Sequence, residues 1–260
     1  MEVNCSEAAA GFAAYVKDYD IKDEKIRLKV EHTIKVAELC REIAESEEFS
    51  PEDAETAWLI GLLHDVGRFE QVRRFGTFVD SQSIDHAAFG ADLLFRDGLI
   101  REFVKDDSCD LLIERAVRTH SMFRLPSDFD ERTLRFCNVI RDADKVDIMR
   151  VNVETPLEEL YNVTTERLRR DEISPKVLDS FLEEHATLRE YKKTTIDYLA
   201  AHISLVYELV YPHSVYTAYR QGFLYKMMDF KSDNPRTQEQ FAFIRERVNA
   251  YLHRRLNLCA

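Results

Sequence analysis

A chain of 260 residues with 45% apolar content is long enough to bury a sizeable core and too apolar for extended disorder. Its formal charge of −12, from 48 acidic against 36 basic residues, argues against a duplex nucleic-acid binder, because an acidic surface repels phosphate backbones at long range. Seven Gly and six Pro leave few tight turns, so the expected fold class is all-α, built from long helices.

The N-terminal stretch MEVNCSEAAAGFAAYVKDYD is acidic and lacks a basic segment followed by a long apolar core, so it makes a poor signal peptide. No run approaches the roughly 18 uninterrupted apolar residues of a membrane span. Cys5, Cys40, Cys109, Cys137 and Cys259 are odd in number and lack short paired spacings, which fits unpaired thiols in a reducing compartment. The expectation is a soluble cytoplasmic protein with no membrane partner.

From Ile26 to Ala44, apolar residues at Ile26, Val30, Ile34, Ala37, Cys40 and Ala44 alternate steps of three and four, which predicts a helix with a buried stripe. His32 falls near the edge of that stripe. Ser50-Pro51-Glu52-Asp53 opens the next helix with a Ser cap, a first-turn Pro and two acids. That helix carries His64 and Asp65 in its last turn, with Gly67 as the expected stop. RRFGTFVDSQSID reads as a loop, and Ser83 is placed to cap a helix running from near His86 to Gly98. A helix over 107–120 turns Leu111, Leu112, Ala116 and Val117 inward, and a long one covers 130–149. Beyond Pro156 the pattern predicts helices over 157–170, 175–190, 191–211, 213–229 and 236–256. No linker or internal repeat interrupts the chain.

Six residues stand out by chemical type: His32, His64, Asp65, His86, His120 and Asp144. Helical bundles bring such positions together at their centres, and imidazole with carboxylate suits transition-metal ions. A charged Asp following the apolar Gly61-Leu62-Leu63 run is costly to bury without a cation. The bland alternatives are a buried His–Asp pair for the central residues and core or substrate-contacting roles for His86 and His120. His185, His202, His213 and His253 lack a matching context and read as structural. Asp142 and Asp147 fit an outer sphere. The aromatic run from Tyr207 to Tyr225 reads as core packing rather than a pocket.

LLHDVGR resembles the signature of the HD-domain superfamily, whose pattern is His, then His-Asp, then a distant Asp. Here those are His32, His64-Asp65, and Asp144 within IRDADKVD. DHAAFGADLLF and AVRTHSMFRLP are similar to the helices that carry two further histidines in the extended form of the pattern. The resemblance spans roughly 25–150. It implies an HD helical bundle over 1–155 with a helical extension over 156–260 packed on the same bundle. It also implies metal ligands at His32, His64, Asp65, His86, His120 and Asp144, with Asp65 bridging. The cofactor would be one or two divalent ions from the set Mn, Fe, Co, Ni, Zn and Mg. Active members of the family mostly hydrolyse phosphate esters, consistent with a pair of cations about 3.5–4 Å apart activating water. The implied function is a metal-dependent phosphohydrolase (phosphatase or phosphodiesterase) acting on a small phosphorylated molecule such as a nucleotide. Asp65, Arg68 and Lys145 would serve in catalysis, and Arg68, Lys145 and Arg124 would contact phosphate. A second copy of the chain is a further expected partner. The rivals are a di-iron oxygenase and a non-catalytic module that keeps its metal.

Overall fold

A computed structural model describes residues 2–257, so Cys259 lies outside the described residues. Among these, the regular structure is helical, with no strand. The chain divides into two compact units, Met1–Asp144 and Lys145–Ala260.

The first unit opens with α1 (Cys5–Val16), which the sequence reading did not anticipate; Asn4 caps it, and Ala8, Phe12 and Val16 are buried at four-residue spacing. Helix α2 (Glu24–Ser46) is capped by Asp23. Its buried face includes His32, Thr33, Val36, Ala37, Leu39 and Cys40. Ile26, Ala37, Cys40 and Ala44 of the expected stripe are buried, but Ile34 is 48% exposed and His32 faces inward. Helix α3 (Pro51–Leu63) starts as predicted, with Ser50 Oγ accepting from the Asp53 amide at 3.2 Å. It packs closely on α2 because Gly61 has no side chain there: a Cβ would lie 2.7 Å from Ala37 Cα.

The expected stop at Gly67 is corrected. The chain bends at His64-Asp65 and continues as α4 (Val66–Phe75), which ends at Gly76 in the left-handed region (φ 67°). Gly67 serves a close helix crossing: an added Cβ would sit 2.2 Å from the His86 carbonyl oxygen and 2.7 Å from the Gly90 amide nitrogen. That crossing brings α5 (His86–Ala91) against α4. The predicted loop thus includes the last turn of α4 and a single 3₁₀ turn at Asp80–Gln82. Asp85, rather than Ser83, caps α5, accepting from the Ala87 and Ala88 amides. Ser83 Oγ instead accepts from Gln71 and donates to the Val79 carbonyl. After α5 a π turn at Asp92–Arg96 carries the chain to Gly98.

Helix α6 (Asp110–Thr119) begins three residues later than expected. Its inner face is Leu112, Ile113, Ala116 and Val117, which turns Leu111 outward to 59% exposure. Helix α7 (Glu131–Glu154) is one turn longer than predicted and contributes residues to both units.

The second unit adds α8 (Leu157–Tyr161), α9 (Thr165–Arg170), α10 (Pro175–Glu183), α11 (Ile196–Ser204), α12 (Pro212–Gln221), α13 (Phe223–Met228) and α14 (Pro235–Arg255). The pattern predicted fewer, longer helices; Asn162, Glu184 and Gly222, all at positive φ, divide them. Helix α14 packs against α10, α12 and α13. Tyr207, from the aromatic run, is buried between Phe181 and Tyr251 as expected of core, whereas Tyr216 is 48% exposed. The one acid buried in α11, Asp197, accepts from the Ser174, Lys193 and Thr194 amides and the Ser174 hydroxyl, a structural role.

Candidate metal centre

Four helices and one helix joint place the six side chains singled out in the sequence. His32 comes from the buried face of α2, His64 and Asp65 from the bend between α3 and α4, His86 from the first residue of α5, His120 from the end of α6, and Asp144 from α7. The Gly61 contact sets the approach of His64 to His32, whose rings stand edge to face with centroids 5.4 Å apart. The Gly67 crossing does the same for His86.

The other five surround Asp65, and its two carboxylate oxygens face different partners. Oδ2 lies 3.8 Å from His32 Nε2 and 3.5 Å from His64 Nε2. Asp144 Oδ1 completes this side, 3.2 Å from His32 Nε2 and 3.9 Å from His64 Nε2. Oδ1 of Asp65 faces the other way, 3.4 Å from His86 Nε2 and 3.9 Å from His120 Nε2. The two Nε2 atoms of His86 and His120 are 3.2 Å apart. One carboxylate therefore stands between two groups of donors: His32, His64 and Asp144 are close enough to hold an ion, as are His64, Asp65 and His120, and His86 Nε2 joins the second side through its contacts with Asp65 and His120.

The outer atoms of the rings are held in a consistent way. His64 Nδ1 donates to the Gly61 carbonyl and His120 Nδ1 to the Val117 carbonyl, each at 2.7 Å. That fixes the tautomer and leaves each Nε2 lone pair pointing inward, the arrangement of a metal-ligating histidine. Arg141, itself buried, donates to the carbonyls of His120 and Phe123 and also to that of Met122, ordering the chain after α6. Burial pushes the His64 imidazole down, and burial together with His64 and His86 lowers His120 to about 3, so both rings are neutral near pH 7. For Asp65, burial favours the neutral acid, but the cations of Lys29 and Arg68 outweigh it and hold the carboxyl well below its usual range. For Asp144 burial again works upward, and the hydrogen bond from His32 outweighs it.

These residues fit a metal. His64 Nε2 is fully buried with no hydrogen-bond partner, an orphan that an ion would satisfy. Neutral imidazoles and ionised carboxylates are the required donor states.

Around this core the sequence-derived cations occupy different positions. Arg68 Nε is 3.7 Å from Asp65 Oδ1, and its Nη1 donates to Asp80 Oδ1, the Phe78 carbonyl and Gln71 Oε1. Lys145 is buried on α7 directly after Asp144. Arg124 is exposed, its guanidinium over the Phe123 ring. Two participants escaped the sequence reading. Lys29 Nζ donates to Asp65 Oδ2 at 2.8 Å, and its place one turn before His32 on α2 was the available signal. Asp80 accepts from His86 Nδ1 at 2.8 Å. Asp142 is fully buried beside the ligand position, and Asp147 forms a two-point pair with Arg150. His185 pairs with Glu183, and His202 bonds to Asn152 and Tyr161, in keeping with structural roles.

The family model of the HD domain matches residues 30–149, an interval that contains every one of the six residues. The chain carries an HD domain. No curated protein and no solved structure gave a significant match. HD domains are mostly metal-dependent hydrolases that bind divalent ions, and the His/Asp groups of this one lie close enough together to hold such an ion. Among the described residues, no helix is long and apolar enough to cross a membrane.

Proposed function

We propose that this HD domain is a two-ion phosphohydrolase acting on a small phosphorylated molecule, a nucleotide being one candidate. The observation that supports the reading most strongly is the divided carboxylate of Asp65, one oxygen toward His32, His64 and Asp144, the other toward His86 and His120. His32, His64, Asp65 and Asp144 would hold one ion, and Asp65, His86 and His120 the other. A donor set this rich in imidazole suits Mn, Fe, Co, Ni or Zn better than Mg, which prefers oxygen. When bound, such ions supply positive charge for a phosphoryl oxygen and make water acidic enough to attack near neutral pH.

The protein's own groups complete the site. His64 and His120 present neutral Nε2 atoms, and Asp65 and Asp144 are ionised, so these four groups need lose no proton first. Lys29, whose side chain is about one-quarter exposed, carries an ammonium 2.8 Å from Asp65 Oδ2 and is placed to meet a phosphoryl oxygen. Arg68 lies on the other side of the same carboxylate, and Lys145 and Arg124 remain candidates for contacts farther along a substrate. The test is metal analysis of the purified protein, followed by phosphatase and phosphodiesterase assays with Mn²⁺, Co²⁺ or Zn²⁺. Turnover that depends on the ion and disappears in Asp65→Asn supports the reading. Oxygen uptake with iron and no phosphate release would replace it with an oxygenase, and metal retention without any turnover would leave a binding module.

A further inference from the structure

Asp80 lies in a single turn between α4 and α5, in the segment that reads as loop, and no helix depends on its side chain. The cap of α5 is Asp85. Yet the Asp80 carboxylate is fully engaged. Oδ2 accepts from His86 Nδ1 at 2.8 Å; Oδ1 accepts from Arg68 Nη1 at 2.6 Å and from Gln71 Nε2 at 2.9 Å. Arg68 is itself anchored at the Phe78 carbonyl, and the fully buried Gln71 at Ser83 Oγ and the Ile84 carbonyl.

We infer that Asp80 is a positioning residue for the second ion, acting through His86 and held in place by Arg68 and Gln71. This rests on the two-ion reading above. His64 and His120 have Nδ1 partners that are main-chain carbonyls, which choose the tautomer but carry no net charge. His86 alone among these three has a carboxylate there. An anion at Nδ1 both fixes the ring and increases the electron density at Nε2, which points to Asp65 Oδ1 at 3.4 Å. The second subsite needs this help more than the first. It has fewer donors, Asp65 Oδ1 and two imidazoles, against Asp65 Oδ2, two imidazoles and Asp144 on the other side. Arg68 therefore has a part that its sequence position did not suggest: it ties Asp80 to the start of α4, three residues from the bridging Asp65, so that His86 and Asp65 are registered to each other by one chain of hydrogen bonds.

The experiment is titration of metal-stripped protein with Co²⁺, followed by calorimetry and by the visible absorption of the bound ion. Wild type, Asp80→Asn, Asp80→Glu and Asp85→Ala are compared. Wild type takes up two equivalents. Asp80→Asn takes the first with affinity within about twofold of wild type and the second about 10–100-fold more weakly, the usual scale for an outer partner of a ligating histidine. Asp80→Glu keeps the charge but moves it by a methylene and shows the same selective loss; it serves if the Asn variant does not fold. Asp85→Ala removes the cap of α5 and lowers the melting temperature while leaving the second equivalent intact. Unchanged second-ion affinity in both Asp80 variants overturns the inference, as does equal loss of both equivalents. So does a matching loss in Asp85→Ala, which would mean that any loosening of α5 suffices. A single equivalent in wild type refutes the two-ion reading itself, and this is visible before any variant is made.

Discussion

Gly67→Ala is the substitution in which packing and chemistry are most tightly joined. In an exposed helix, Ala would be preferred to Gly by about 1 kcal/mol. Here the new methyl would sit 2.2 Å from the His86 carbonyl oxygen, with the Gly90 nitrogen and Cα at 2.7 and 2.9 Å, all of them backbone atoms. To regain ordinary contact near 3.4 Å, α5 must retreat by about 1.2 Å. Overpacking against backbone costs about 1–3 kcal/mol, which exceeds or cancels the propensity gain. The net loss of up to about 2 kcal/mol corresponds to a fall in melting temperature of up to about 8 °C for a chain of this size. The chemical effect is sharper, because His86 moves with α5, and ligand distances tolerate only about 0.2 Å. Thermal unfolding by circular dichroism and Co²⁺ titration on the same samples check both parts. A variant that melts at or above the wild-type temperature and still binds two equivalents would refute the reasoning.

Lys29→Met should tighten binding of the first ion about 10–100-fold, because the ammonium no longer competes for Asp65 Oδ2, and a hydrogen bond to a charged group is worth about 1.5–3 kcal/mol. Turnover of a phosphate ester should fall in the same variant; weaker metal binding would mean that Lys29 orders the site instead. For the metal-stripped protein, His120 is neutral when folded down to about pH 3, whereas an unfolded histidine takes up a proton near pH 6.5. The unfolded state thus binds the extra proton between these values. Stability should fall as pH drops through that window, by at most about 1.4 kcal/mol per pH unit for this group, with His64 adding in the same direction. Urea unfolding at pH 7 and pH 5 measures the slope, and His120→Gln should flatten it.

The six converging residues were legible because they are residue types in a fixed order, and helix type was legible from three- and four-residue spacings. What escaped depended on how helices meet. Gly67 looks like a helix stop in one dimension and turns out to be a crossing point, since the reason for its missing side chain is the main chain of α5. Ile34 and Leu111 fit an apolar stripe locally, but the contacts of α2 and α6 select neighbouring faces and leave them exposed. Lys29 and Asp80 are ordinary charged residues by composition. Their roles exist only through distances of 2.8 Å to Asp65 and His86. The Ser50 cap was visible, by contrast, because all its partners lie within one turn.

Asp65 begins α4 but does not cap it: its carboxylate accepts no hydrogen bond from that helix, and the Arg68 amide bonds instead to the Asp65 main-chain carbonyl. An aspartate at such a position ordinarily contributes about 1 kcal/mol by closing the first turn. This one is turned toward the histidines, so the start of α4 is left to be secured by whatever occupies the carboxylate. Metal loading and the order of the α3–α4 joint then become a single equilibrium. Amide exchange at Gly67 and Arg68 should slow on addition of Mn²⁺-free, diamagnetic Zn²⁺ by more than it slows elsewhere in α4.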